Sequence, residues 1–473
     1  MTAATSKSLI INIITNGSPQ IWRDPNDRSR ELTNNIDAWI ELAKIAERGK
    51  IHSLFLADHL SWFDTYKGDY KTSAKTGVFA PRIDPAAVVT ALASVTEHLG
   101  FGITFSTVSE HPYHFARRLA SLDLLTNGRV GWNIVSSYLN SLGPNLLNGE
   151  PFPEHDERYI KTEEYLDVVY KLLLSSWRDD AVKYDKESGI FADPKLLRKI
   201  NHKGKYFSVE GPGITEPTPQ RFPFIIQAGT SRKGKELAAK NAELVFVDGR
   251  NIEVLAKDIK EIRDLTETYG RNRNSIKFVV SSTPIIGETH EEAITKANKI
   301  KNYSIPESTE VAFSGISGID LNKYELDEEI QFGENGKSNN LQTITDNIFK
   351  RKKTNNPTRR EVINNYSSRI GSLIGTPSEI SDEIEKWVSE YDIDGFNFGF
   401  AEFPAGVEDI TNLLIPELQN RGLFHNEYTS KTLRENVKGI KGQIFVDEDH
   451  PAYKLRWTSD LTKEEFENKL GLA

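Results

Sequence analysis

Residues 153–159 read PEHDERY: a histidine, three acids, an arginine and a tyrosine within seven positions. Such a stretch can ligate a metal, move a proton or grip an anion. A metal needs a further ligand at i+3 or i+4 from His155, or a carboxylate at a recognisable spacing, and H-E-x-x-H is absent. HPYH (111–114) has two histidines, but Pro112 stands between them at a helix start. A serine hydrolase would show G-x-S-x-G, which is also missing. Two readings stay open. At a helix N-terminus His155, Arg158 and Tyr159 are hydrogen-bond donors for an anion, the arginine as a fork. Equally, the stretch caps a helix and its charges are solvated. QAGTSRKG (227–234) is a second such place: a strand, a glycine turn and a helix start. Backbone N–H groups there, with the Ser231 hydroxyl, suit a phosphate, and Arg232 and Lys233 add positive charge. It is not G-x-x-x-x-G-K-S/T, so nucleotide hydrolysis is not indicated.

These stretches must be held by elements, and the chain alternates apolar runs with helical periodicities. Strands are predicted at 8–14, 51–57, 100–107, 130–135, 222–228, 242–248, 276–287 and 394–400. Helices are predicted at 34–48, 84–98, 112–125, 159–175, from 231, and at 252–269, 377–391 and 407–420. Eight β-then-α units indicate an α/β fold, most simply a (β/α)₈ TIM barrel. A doubly wound open sheet is the alternative, but the first turn, TNGSPQ, lacks G-x-G-x-x-G. In a barrel, polar residues at strand C-termini gather at one rim. They are Asp58, Thr104, Ser106, Asn133, Thr230, Ser231 and Asp248, each of which can also be an ordinary cap. Residues 1–424 are assigned to the barrel, with insertions near 59–84, 136–158, 176–221 and 300–375 that should build pocket walls. Residues 425–473 are a C-terminal extension that wraps the barrel or a neighbouring subunit. KRKK (350–353) with Arg359 and Arg360 reads as a solvated helix face or a localisation signal.

Composition narrows the function. The 473 residues are 38% hydrophobic and 10% aromatic, enough for a large core, and carry a net charge of −9. That balance does not favour nucleic acid or an anionic membrane. No cysteine is present, which removes disulfides, thiolate nucleophiles, iron–sulfur clusters and cysteine zinc sites. No run approaches a membrane helix and the N-terminal apolar run is too short for a signal peptide, so the cytoplasm is expected.

Several stretches together resemble the flavin-dependent monooxygenases of the bacterial-luciferase-like superfamily. Specifically, the chain is similar to the branch of nitrilotriacetate monooxygenase component A and dibenzothiophene-sulfone monooxygenase. The stretches are FLADHL (55–60), GITFSTVSEHPYHFARRLASLDLLTNGRVGWNIVSS (102–137) and HDERYIKTEEYLDVVYKLLLSSWRDDAV (155–182). FADP (191–194), HKGKYFSVEGP (202–212), QAGTS (227–231), SGIDLNKYELD (317–327) and IGTPSEI (374–380) follow in order. Departures are Gly213, where the branch commonly has leucine, and Arg221, where it commonly has glycine.

The resemblance implies a (β/α)₈ barrel that binds reduced FMN, with contacts at Asp58, Thr104, His155, Tyr159 and Ser231. It implies a separate flavin reductase, and O2 as co-substrate adding at the flavin C4a position. A small organic substrate is then oxidised at a C–S or C–N bond or in a heterocycle, by a homodimer or homotetramer. His59 and Trp22 are candidates for the substrate side, though each also reads as a packing residue, and no catalytic base is named. An arginine clamp would suit an aminocarboxylate. An aromatic wall from Trp22, Trp62, Phe63 and Phe79 would suit an apolar or heterocyclic substrate, and the aromatic-rich stretch 59–84 favours the latter. Two alternatives remain: a deazaflavin-dependent oxidoreductase on the same barrel, and a non-catalytic flavin-binding protein.

Overall fold

A computed structural model describes residues 8–15, 21–229, 231–249, 252–331, 356–367 and 373–471. The apolar runs lie side by side as eight parallel strands: β1 (Ile10–Ile14), β2 (Ser53–Leu56), β3 (Gly100–Ser106), β4 (Val130–Val135), β5 (Phe224–Ala228), β6 (Leu244–Asp248), β7 (Lys277–Ser282) and β8 (Gly395–Phe398). Each pairs with the next, and β8 pairs with β1 through Ile10↔Gly395, which closes the barrel. The expected seventh strand is cut short: Ile285–Ile286 leaves the wall and pairs with Ile374–Gly375.

The covering helices are α1 (Ile36–Arg48), α2 (Pro85–Ser94), α3 (Pro112–Leu125), α4 (His155–Leu174), α5 (Arg232–Asn241), α6 (Ile252–Thr268) and α7 (Pro377–Tyr391). The eighth, α8, runs through Ala405–Asp409, Ile410–Leu414 and Ile415–Asn420. Their starts follow local chemistry. Asn35 and Asp84 accept the N–H two residues on, Pro85 and Pro112 occupy first turns, and Thr376 with Glu379 forms a capping box.

Strand alternation divides the core. Ile11, Leu54, Ile103, Trp132 and Phe396 pack outward against helices, while Ile10, Phe55, Ile226, Phe246 and Val279 point into the barrel. Gly102 and Gly131 are required by that filling, since a Cβ at either would lie 2.9 Å from Ile226 Cδ1.

The C-terminal extension closes the bottom of this barrel. Helix α9 (Leu433–Lys438) sends Leu433 and Val437 into the interior cluster. Between them Arg434 is fully buried. It donates to Glu243 Oε1 at 2.8 Å and Oε2 at 2.9 Å, and to the carbonyls of Phe222, Pro223 and Ile444. Burial alone would raise the Glu243 carboxyl; the Arg434 charge and hydrogen bonds, with Lys438, outweigh it and hold it at about 2.

The insertion 176–221 begins away from the expected pocket wall, and its hairpin climbs back along α4, where Tyr206 N donates to Glu164 Oε2 at 3.0 Å. It follows α4, and a helix returns antiparallel to its strand, so the insertion starts at the barrel's lower end. There Asp179 N donates to Trp457 O, and Arg178 Nη1 to Leu461 O, in the extension. Arg221 sits in this region at φ +56°, the left-handed conformation that favours glycine. Its ion pair with Asp179 at 2.8 Å and its bonds to the carbonyls of Leu174 and Trp177 hold it there. The basic residues 350–353 lie outside the described residues. Arg359 is engaged by Glu310, and Arg360 by Asp327 at 2.7 Å.

Arg434→Met strands the Glu243 charge in the barrel base and is expected to cost about 3–5 kcal/mol in urea unfolding at neutral pH. Adding Glu243→Gln should recover most of it. The folded Glu243 pKa lies below the ordinary 4.5, so its contribution is full above 4.5 and is lost as pH falls towards about 2. The double variant should lack that acid limb.

Candidate functional site

Helix α4 begins at His155, four residues earlier than the periodicity suggests. His155 and Tyr159 are therefore one turn apart on one face, with ring centroids 5.0 Å apart. Ser231 caps α5: its Oγ accepts from Gly234 N at 3.1 Å and lies 3.5 Å from His155 Nε2. The Tyr159 hydroxyl is hydrogen-bonded with those of Ser231 and Ser136, and burial raises its pKa, so it keeps its proton at neutral pH. His155 Nδ1 lies 2.8 Å from Asp156 Oδ1, which fixes the ring. The starts of two long helices thus converge on one small volume lined by donors.

The expected cations contribute less. Arg158 is buried, donates Nη1 to Pro153 O at 3.0 Å and lies over the Phe152 ring. Arg232 and Lys233 pair with Glu236 at 3.4 and 2.8 Å. The cradle therefore depends on a histidine, two hydroxyl-bearing residues and backbone N–H groups. Gly234 is needed for its shape, because a Cβ there would stand 2.9 Å from Gly229 O and 3.1 Å from Ser231 Oγ. Thr230 lies outside the described residues.

Across the mouth, Thr104 on β3 and Asn133 on β4 face inward, and Asn133 Nδ2 donates to Thr104 Oγ1 at 2.9 Å. One level up, the hydroxyls of Ser106 and Ser137 are 2.7 Å apart. Asp58 follows β2, and burial raises its carboxyl to about 6 despite the nearby Arg82 charge. Arg82 is drawn down to about 10 by burial and donates Nη1 to Ala57 O at 2.7 Å. Burial, then Arg82, brings His59 down to about 3, so its ring is neutral at ordinary pH. That ring packs on Phe63 and Phe79, 5.2 and 5.4 Å between centroids. Phe79 stands at φ +56°, a conformation bulky residues avoid unless their surroundings fix it. The insertion 59–84 is thus folded back on β2 by its own aromatic packing and by Arg82.

Trp22 and Trp62 are at the outer edge. Trp22 Nε1 donates to Thr76 O at 2.9 Å, tying the segment after β1 to the insertion, and Trp62 lies against Tyr70. Asp248 ends β6 and is half-buried. Sequence reasoning missed Ser136 and Arg82. Ser136 was legible as the polar residue just past Val135, whereas nothing local marks Arg82 as the partner of Ala57. Among the described residues no three His, Asp or Glu side chains form a metal cluster, and no helix is long and apolar enough to cross a membrane.

Comparison with known proteins shows the family. The family described as luciferase-like monooxygenase matches residues 18–391. The long-chain alkane monooxygenase of Geobacillus thermodenitrificans (strain NG80-2) is 40% identical over 92% of this chain and 94% of its own. The dimethyl-sulfide monooxygenase of Hyphomicrobium sulfonivorans is 39% identical over 94% and 92%. Nitrilotriacetate monooxygenase component A of Aminobacter aminovorans is 34% identical over 88% and 92%.

The raised Asp58 carboxyl has a testable consequence. An acid whose folded pKa is about 6 instead of 3.8 contributes stability below 3.8 that is lost as pH rises through 6. The Tm of Asp58→Asn relative to wild type is expected to rise between about pH 4 and about pH 6 and to level off by about pH 7. A difference constant with pH would mean that this carboxyl does not titrate there.

Proposed function

The chain belongs to the luciferase-like monooxygenases, and on that footing we propose that it is the oxygenase of a two-component system. It takes reduced FMN from a separate flavin reductase and uses O2 to oxygenate a small, neutral, apolar substrate. It works in the cytoplasm as a homodimer or homotetramer. The observation that carries the reading is the convergence of His155, Tyr159 and Ser231 where the starts of α4 and α5 meet.

That convergence fits the cofactor's phosphate. The first-turn N–H groups of α5, the hydroxyls of Ser231 and Tyr159, and His155 Nε2 offer donors within one small volume. Asp58 and Thr104, on the β2 and β3 side of the mouth, are the residues that would meet the ring. When bound, reduced FMN supplies the electrons that activate O2. The chain's own residues bind it, orient it and shield the reacting region. His59, neutral and packed between Phe63 and Phe79, takes up no proton at ordinary pH and makes an apolar wall.

The same wall supports the substrate class. Arg82, the cation beside Asp58, gives Nη1 to the Ala57 carbonyl and lies against the Phe79 ring, 5.9 Å to its centroid. An alkane, thioether or heterocycle suits these surroundings better than an aminocarboxylate, and two relatives are named for an alkane and a thioether.

The test supplies chemically reduced FMN without a reductase, together with ¹⁸O2 and a panel of apolar substrates. Label in the product is expected. His155→Ala and Ser231→Ala should each weaken reduced-FMN binding about tenfold, measured anaerobically. Substrate turnover without O2 would point to deazaflavin-type hydride transfer. Tight binding with no labelled product from any substrate would point to a flavin store.

A further inference from the structure

The floor of the mouth carries an acceptor that none of the described residues uses. Thr104 and Asn133 are Cα partners in the β3–β4 ladder, and both point inward because Ile103, Phe105, Trp132 and Ile134 pack outward. Beneath them the barrel is filled by Ile226 and Phe55, whose side chains would contact a Cβ on Gly102. Asn133 Nδ2 donates to Thr104 Oγ1 at 2.9 Å. The hydroxyl accepts that bond, so its own O–H remains a donor. Asn133 is 2% exposed, and its Oδ1 is buried without a hydrogen-bond partner. Buried amide oxygens are seldom left so, because losing water without gaining a donor is costly.

The pair therefore presents one acceptor and one donor side by side, held in register by two neighbouring strands. A phosphate or carboxylate has no N–H to give Oδ1, and an alkane or thioether has nothing for either group. The matching chemistry is an N–H beside a C=O in one plane, as in an imide. Reduced FMN carries such an edge at N3, flanked by two carbonyls. We propose that Asn133 reads this edge: its Oδ1 accepts from flavin N3–H, and its Nδ2 orients the Thr104 hydroxyl to donate to the adjacent carbonyl. This inference rests on the flavin reading above and extends it to a residue that the family resemblance did not supply.

The experiment compares FMN with its N3-methyl analogue, both reduced and titrated anaerobically into the full-length protein with tryptophan fluorescence as the signal. The wild type is expected to bind FMN about tenfold more tightly than the analogue. Asn133→Ala, which removes the acceptor and makes room for the methyl group, should weaken FMN binding and bring the two ligands within about twofold. A merely structural role for Asn133 would weaken both ligands alike and leave their ratio unchanged. Equal binding by the wild type, or a preference that survives in Asn133→Ala, overturns the proposal and leaves the flavin reading standing. Failure of the wild type to bind reduced FMN at all overturns both. Circular dichroism checks that the variant folds; if it does not, the wild-type comparison alone decides.

Discussion

The interior of the barrel has to be filled, and the way it is filled sets everything above it. Ile226 on β5 leans far enough across the barrel that Gly102 on β3 and Gly131 on β4 must lack side chains. Leu433 rises from below to within 3.1 Å of where a Gly131 Cβ would stand. Close packing of this kind leaves little freedom for the layer it supports. Thr104 and Asn133, two residues further along each strand, are therefore presented upward on a rigid platform. The barrel base does for the site what a supporting shell does elsewhere: it converts packing into position.

That base is completed by chain far from the barrel in sequence. Arg434 closes it through a fully buried pair with Glu243, and the same guanidinium satisfies the carbonyls of Phe222 and Pro223 just before β5 and of Ile444 in the extension. A buried pair gives little net stability, but each partner is strongly required once the other is present. The extension meets the start of the insertion 176–221 at Asp179 and Trp457, which ties the two long segments together at the lower end. At the mouth the insertion 59–84, folded against β2 by Phe79 and Arg82, faces residues of the insertion 136–158, among them Ser137 and His155.

Much of the architecture was legible because it is local. Helices 112–125 and 377–391 and strand 130–135 fall where capping residues, proline and apolar runs put them. The failures are instructive. The start of α4 at His155 has no side-chain cap to mark it, so periodicity placed it at Tyr159. The break after Ser282 depends on pairing with Ile374, almost a hundred residues away. At the site, local pattern identified His155, Tyr159 and Ser231 as donors, and the structure brings them together. The same pattern could not show that Arg158, Arg232 and Lys233 would be engaged by a carbonyl, a ring and a carboxylate instead of an anion. Side-chain competition of that sort is settled only by the fold.

The outcome bears on how this chain would bind an anion. With a net charge of −9, and with Arg232 and Lys233 already paired to Glu236, the field that draws a phosphate in is weak. Attraction must come from short-range, directional donors at two helix starts, which act over a few ångströms and are weakly screened once water is excluded. Such a cradle discriminates by geometry more than by charge. The opposite wall follows the same logic, since His59 is neutral, Arg82 is tied to Ala57, and burial favours the protonated form of Asp58. Directional donors hold one end of the site and apolar rings line the other. A ligand with a polar, edge-specific cofactor portion and an adjoining uncharged substrate is the combination that satisfies both ends without leaving a buried charge unpaired.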